Sequence, residues 1–395
     1  MNVVLREVVA RLPNMSVGAS NFKRERLTHA REARGITQTS LADMINISRA
    51  AISQYEKGQR SPSSDVLKKI ANTLNFPMHF FLKDIGNQAS KPIFFRSLSA
   101  ATKTARLIAK RRYEWLLDTV GYLREFVTLP EVNFPRFDIP SDPTSIDDEI
   151  IEDIANLTRK HWGLGFGPIS NVIWLLENNG AIVVRQKLDA RTLDAFSNWS
   201  VDDTLRPYFI LGEEKMSAVR SRFDAAHELG HMILHYHVNE NVLRNTSTFN
   251  LIEKQAHHFA SAFLLPEQTF SKEVLFAPNL EMLVPLKSKW RVSIAAMVKR
   301  LRQLRLISRE REQRLFVNIS RRHWRTKEPL DDELEMEKPR VIQKALDVLR
   351  EKNIINQQSI TINLALYIED IERTIGMPGY FSDTSATTIK FPRIF

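Results

Sequence analysis

The stretch LTHAREARGITQTSLADMINISRAAISQYEKGQRSPSSDVLKKIANTL, residues 27–74, leaves a folding chain few choices. Leu27, Ala30 and Ala33 share one stripe of a first helix, which Gly35 ends. Thr37 is placed to cap a second helix carrying Leu41 and Ala42. Ser48 is placed to cap a third, with Ala51, Ile52 and Tyr55 turned inward and Gly58 at its end. Val66, Ile70 and Leu74 mark the inner stripe of a fourth. Two short helices joined by a tight turn, with small residues where they cross, make a helix-turn-helix. The third helix turns Arg49, Ala50, Ser53 and Gln54 outward, with Ser48 at its cap. Arginine matches the acceptors of guanine and glutamine matches adenine, whereas Ala50 offers only an apolar contact. Gln38 opens the second helix, where a side-chain amide and the helix N-terminus together suit a phosphate. The competing reading is a small helical bundle used for protein contacts.

A second constellation lies in AAHELGHMILH, residues 225–235. Residues four apart on a helix differ by about 40° in direction, so His227 and His231 point the same way and both reach one ion. Glu228 lies about 100° round, beside the ion rather than on it, where it can take a proton from a water that the ion activates. A catalytic zinc needs a third protein ligand and one open position. Glu253, in the apolar helix NLIEKQAHHFASAFLLP that Pro266 stops, is the candidate third ligand, placed in the first turn of that helix. Two other readings of Glu253 stand beside it: a capping box with Asn250, or a solvated charge. The His227–His231 pair also fits an amphipathic helix with histidines on its polar face. His235 and His257 are candidates to stand behind the ligands, or plain core or surface histidines.

The formal charge is +10, which favours a polyanionic partner, nucleic acid before membrane. Its distribution is segregated. Residues 285–325 carry thirteen basic and two acidic side chains, while SIDDEIIED (145–153) and EPLDDELEMEKP (328–339) are acidic. LKSKWRVSIAAMVKRLRQLRLIS (286–308) reads either as a second nucleic-acid surface or as a packed helix pair whose basic face docks on those acidic stretches. There is no cysteine, hence no disulfide and no thiolate ligand. Apolar runs are too short for a membrane helix, and Arg6 and Arg11 interrupt the N-terminal one, so a cytoplasmic location is expected.

Two resemblances follow from these residues. TQTSLA, SRAAISQYEKGQRSP and LKKIANTL resemble the Cro/repressor-like (XRE-type) helix-turn-helix family over about 50 residues. That likeness makes Gln38 a phosphate contact and turns Arg49, Ala50, Ser53 and Gln54 toward bases. RFDAAHELGHMILH followed by EKQAHHFASAFLLP, with the upstream GPISNVIWLLENNGAIVV and DAFSNW, resembles the ImmA/IrrE-type metallopeptidase domain over roughly 150–325. It implies a zincin-like fold, His227, His231 and Glu253 as zinc ligands, and Glu228 as general base. His257 stands where other residues are usual in that family, which leaves its role open. The basic 285–325 segment belongs to the same pattern, which favours the packed-pair reading.

The expected chain is multidomain and mainly α. Residues 1–20 are a lead-in, 21–85 an all-α helix-turn-helix head, and 86–145 a linker with a long helix over 98–128. Residues 146–325 form an α+β zincin-like domain with helices near 146–162 and 168–179 and strands at 181–186, 194–199 and 206–212. Residues 326–395 form a helical C-terminal region with one helix near 340–351. Ser145 is the expected cap of the helix at 146. The expected partners are a double-stranded DNA operator, a protein or peptide substrate such as a repressor, a second copy of the chain, and one zinc ion per chain, with no membrane. The favoured function is a DNA-binding regulator whose zinc peptidase cleaves a partner repressor or its own chain. Two alternatives remain: a repressor whose metal site only senses or stabilises, and a peptidase whose head binds protein.

Overall fold

A computed structural model describes residues 21–84, 102–188, 195–200, 204–213, 217–238, 245–274 and 278–382. The lead-in at 1–20, the linker stretch 86–95 and the tail TTIKFPRIF lie outside the described residues. The chain forms two compact units, one of them assembled from segments far apart in sequence.

The first unit opens with α1 (Arg24–Ala33), α2 (Gln38–Ile45), α3 (Arg49–Glu56) and α4 (Ser64–Leu74). Thr37 Oγ1 accepts from the Ser40 amide at 3.0 Å and Ser48 Oγ from the Ala51 amide at 3.2 Å, so both expected caps form. Asn46, in the left-handed conformation at φ 58°, turns the chain between α2 and α3. Leu27, Ala30, Leu41, Ala42, Ile52 and Ile70 are fully buried. Two expected core positions shift. Leu67, not Val66, takes the inner stripe of α4, and Ala51 is only half-buried because Ile52 and Tyr55 already fill that side of α3.

Helix α5 (Lys103–Arg124) packs along α1. Its Arg111 reaches Glu32 at 2.7 Å, Glu114 at 2.6 Å and the ring of His29 at 2.8 Å. Burial and the neighbouring Arg111 hold His29 well down, to about 2, so it is neutral.

The second unit is α+β. Its helix α6 (Asp148–His161) is capped by Asp147, whose carboxylate accepts from the Ile150 amide at 2.9 Å. Ser145, the expected cap, instead sits in a 3₁₀ turn, Pro143–Ser145, that precedes the helix. Helix α7 (Val172–Asn178) leads into β1 (Ile182–Gln186), followed by β2 (Ala195–Trp199) and β3 (Pro207–Gly212). The sheet order is β1-β3-β2, with β3 parallel to β1 and antiparallel to β2. Every residue of the central β3 is buried, which its continuous run of apolar side chains permits.

Helix α8 (Ala218–Leu234) lies on β2 and β3 and packs most extensively on α9 (Thr246–Leu264). Then come α10 (Glu267–Glu273), α11 (Leu280–Trp290), α12 (Ile294–Gln303) and α13 (Arg309–Arg321). The basic segment does pair with both acidic stretches. Buried Arg300 binds Glu152, and buried Lys287 binds Glu328 at 3.0 Å and Asp331 at 2.6 Å. Glu328 also accepts from the Ile294 and Ala295 amides, and Glu337 from those of Val172 and Ile173, so each carboxylate sits at a positive helix end.

Among the described residues the C-terminal region holds three helices where one was expected: α14 (Val341–Glu351), α15 (Gln357–Leu364) and α16 (Ile368–Ile375). The last two are short and end at Ala365 and Gly376 in the left-handed conformation, which makes their periodicity hard to see. Both pack on α5, and Arg34 of the head grips Asp370 of α16 through two bonds of 2.8 and 2.6 Å. Within the described residues no helix is long and apolar enough to cross a membrane.

Candidate metal centre and nucleic-acid interface

On the head, Ser48, Arg49, Ala50 and Gln54 are exposed and Ser53 is half-buried, all on or beside α3. Gln38 does not stand free. Its amide donates to Glu56 Oε2 at 2.7 Å, and Arg31 holds the same carboxylate at 2.6 and 3.0 Å. Arg31 and Glu56, which sequence reasoning did not single out, thus fix the start of α2 against the end of α3.

In the second unit the two histidines of α8 meet the carboxylate of α9. His227 Nε2 and His231 Nε2 are 3.0 Å apart. Glu253 Oε2 lies 3.3 Å from His227 Nε2, and Oε1 lies 3.2 Å from His231 Nε2. Helix α9 starts seven residues before Glu253 and is capped by Asn245, not Asn250, so Glu253 is neither in the first turn nor part of a capping box. The extra turn was hidden because residues 246–249 carry little apolar periodicity.

Gly230 allows this convergence. A Cβ there would stand 3.1 Å from Phe259 Cδ1 and 3.2 Å from the Ala256 carbonyl oxygen, so a glycine at this crossing lets α8 and α9 approach closely.

A hydrogen-bond chain behind His231 fixes its tautomer. Gln255 Nε2 donates to the carbonyls of Pro143 and Ile146, both at 2.7 Å. Its Oε1 is therefore the atom facing His235 Nε2 at 3.1 Å, and that nitrogen must donate. His235 Nδ1 is then an acceptor, and His231 Nδ1, 3.2 Å away, gives it a proton. This leaves a bare lone pair on His231 Nε2, facing a carboxylate oxygen that has no hydrogen-bond partner. His235 is fully buried, with its Nδ1 3.2 Å from that of His231. Gln255 carried no sequence signal beyond its place on the buried side of α9.

The field at this cluster favours positive charge. Burial lowers the His227 pKa, but Glu253, Glu228 and Asp224 outweigh it and raise it. Burial pushes Glu253 up, yet His227 beside it holds its carboxyl below the usual range. Two imidazoles and a carboxylate, 3.0–3.3 Å apart, also match the separation of about 3.3 Å between donors on a tetrahedral zinc at about 2.0–2.1 Å. The residues present therefore fit a zinc ion.

Glu228 is buried beside this set. Ser197 of β2 donates to its Oε2 at 2.6 Å, a partner the sequence did not reveal. Burial pushes Glu228 up to about 7, against the opposing pull of His227 and Ser197. His257 is exposed, with its ring centroid 4.4 Å from that of His227. Partial desolvation and the neighbouring His227 hold it down to about 3.

Comparison with known proteins agrees with both halves. A helix-turn-helix family model matches residues 27–81, and the IrrE N-terminal-like domain matches residues 176–302. The chain is 31% identical over 118 residues to the uncharacterized HTH-type transcriptional regulator Rv0474 of Mycobacterium tuberculosis, covering 30% of this chain and 79% of that one. It is 36% identical over 58 residues to the HTH-type transcriptional regulator ImmR of Bacillus subtilis, covering 15% and 46%. A prophage-derived relative from the same organism, the uncharacterized HTH-type transcriptional regulator YonR, is 36% identical over 59 residues, covering 15% and 55%.

Proposed function

Because this chain belongs to the XRE-type helix-turn-helix transcriptional regulators and carries an IrrE N-terminal-like peptidase domain, we propose that it is a DNA-binding regulator switched by its own zinc-dependent proteolysis. The observation that supports this most is the convergence of His227, His231 and Glu253, with the Glu228 carboxylate buried beside them.

When bound, zinc supplies Lewis acidity: it polarises a peptide carbonyl and makes water a nucleophile near neutral pH. Glu228 would accept a proton from a water held there and return it to the leaving amide nitrogen, while His227, His231 and Glu253 would hold the ion. Burial raises this carboxyl above the ordinary carboxylate range, which suits a group that both accepts and returns a proton. Ser197 keeps Oε2 oriented while the other oxygen works. His235 and Gln255 hold His231 in the tautomer that binds a cation.

The head reads an operator through Arg49, Ser53 and Gln54, with Ala50 in apolar contact and Gln38 and Ser48 near the phosphates, and acts as a dimer on two half-sites in the cytoplasm. The substrate is a partner repressor or this chain itself between head and body, and cleavage releases the operator.

The test is a cleavage assay on full-length protein, alone and with repressors from the same genome. Wild type yields defined fragments, and Glu228→Gln yields none while still binding the operator. Equal cleavage by both proteins, or regulation that survives Glu228→Gln intact, removes the peptidase from the account.

A further inference from the structure

His257 is a histidine that the donor set above does not use. It follows Glu253 by four residues on α9, and so projects from the same side of that helix. One ligand atom from each of His227, Glu253 and His257 lies within 4.8 Å of the other two. Its ring stacks on Phe223, with centroids 5.8 Å apart, and leans on His227. It also borders a cavity of ≈ 210 Å³ that Arg220, Asp224, Ser261 and Lys299 help to line. The imidazole therefore stands between that cavity and the three converging donors.

Three protein donors leave one place on a four-coordinate zinc. A catalytic site keeps that place open, and a structural site fills it. We propose that His257 is a displaceable fourth donor, which closes the site at rest and yields its place to a ligand arriving through the adjoining cavity. The proposal rests on reading His227, His231 and Glu253 as the metal centre.

Exposure supports a weakly seated donor. The other three donors stand 3.0–3.3 Å from one another on buried or half-buried residues, whereas His257 is exposed. Because His257 is exposed and borders the cavity, rotation about its own side-chain bonds can bring it in without moving α8 against α9. The same side chain has a rival task. His227 Nδ1 is buried with no hydrogen-bond partner, and His257 rotated toward that atom would orient His227 rather than bind the ion.

Counting imidazole ligands separates the two. Zinc-loaded full-length protein is examined by X-ray absorption as wild type, His257→Ala, His257→Gln and His231→Ala, and again with acetohydroxamate added to wild type. The proposal expects three imidazoles in wild type, two with an added oxygen donor in both His257 variants, and two in wild type once the hydroxamate is present. Two imidazoles in resting wild type overturn it, as does an unchanged count in the His257 variants, even where their zinc affinity falls. The centre itself is tested separately: His231→Ala that retains the full ligand set, or wild type that takes up no zinc, overturns the reading of His227, His231 and Glu253 and the fourth donor with it.

Discussion

Gly230 of α8 faces Phe259 of α9 so closely that a single added carbon would stand 3.1 Å from the phenylalanine ring. The separation of those helices sets the distance from Glu253 to the histidines. Gly230→Ala gains about 1 kcal/mol of helix propensity and must push Phe259 and the Ala256 carbonyl back by a few tenths of an ångström. The two effects offset each other in folding, but only the displacement acts on the site. Thermal unfolding of the zinc-free protein is expected to shift little, while zinc affinity measured by chelator competition falls at least tenfold. Unchanged affinity would mean that the crossing does not set the donor geometry.

Gln255 reaches His231 through His235. Gln255→Leu removes the acceptor that makes His235 Nε2 a donor, and His231 is then free to take either tautomer. Partners in this position typically change metal affinity by about 10–100-fold. Zinc affinity should fall by that order in Gln255→Leu, with the far-ultraviolet circular dichroism unchanged. Gln255→Glu, which keeps an acceptor toward His235, should recover part of the loss.

Acid should destabilise the peptidase-like unit through Glu152. Burial raises its carboxyl, but Arg300 and His258 outweigh burial and bring it from 4.5 to about 2. A depressed carboxylate pKa contributes stability that is complete above 4.5 and is lost as pH falls toward 2. Glu152→Gln should therefore melt well below wild type near neutral pH, and the gap should narrow as pH drops through that window. Parallel melting curves across the window would show that Glu152 is not ionised against Arg300.

On DNA, Arg49→Ala and Gln54→Ala should each lose about 1–3 kcal/mol of discrimination at one base position. Glu56→Ala acts differently, because it releases both Gln38 and Arg31. It should weaken binding evenly across operator variants and leave the ranking of sequences intact. Fluorescence anisotropy at fixed salt against a set of single-base operator variants distinguishes the two patterns.

The sequence was most legible where local chemistry decides structure. Thr37 and Ser48 cap the helices they precede, and the three strands fall within a residue or two of their β-branched and aromatic runs. The meeting of His227 and His231 was legible for a related reason, since their four-residue spacing is itself geometry. What escaped depends on contacts between distant segments. Nothing near Asp370 announces that it holds Arg34, or that α15 and α16 join the head unit through α5. Ser197, Gln255 and Gly230 likewise gain their roles only when β2, α8 and α9 meet. The basic run at 285–325 shows both sides of this limit. Its charge was visible, but the ion pairs of Lys287 and Arg300 with the two acidic stretches needed the fold to be specified.

The most direct test of a zinc centre shared between α8 and α9 is the zinc content of purified full-length protein by mass spectrometry, wild type beside Glu253→Ala, after dialysis against a mild chelator. The account predicts one zinc per chain in wild type and almost none in Glu253→Ala. Equal zinc in the two proteins, or none in wild type, would contradict it.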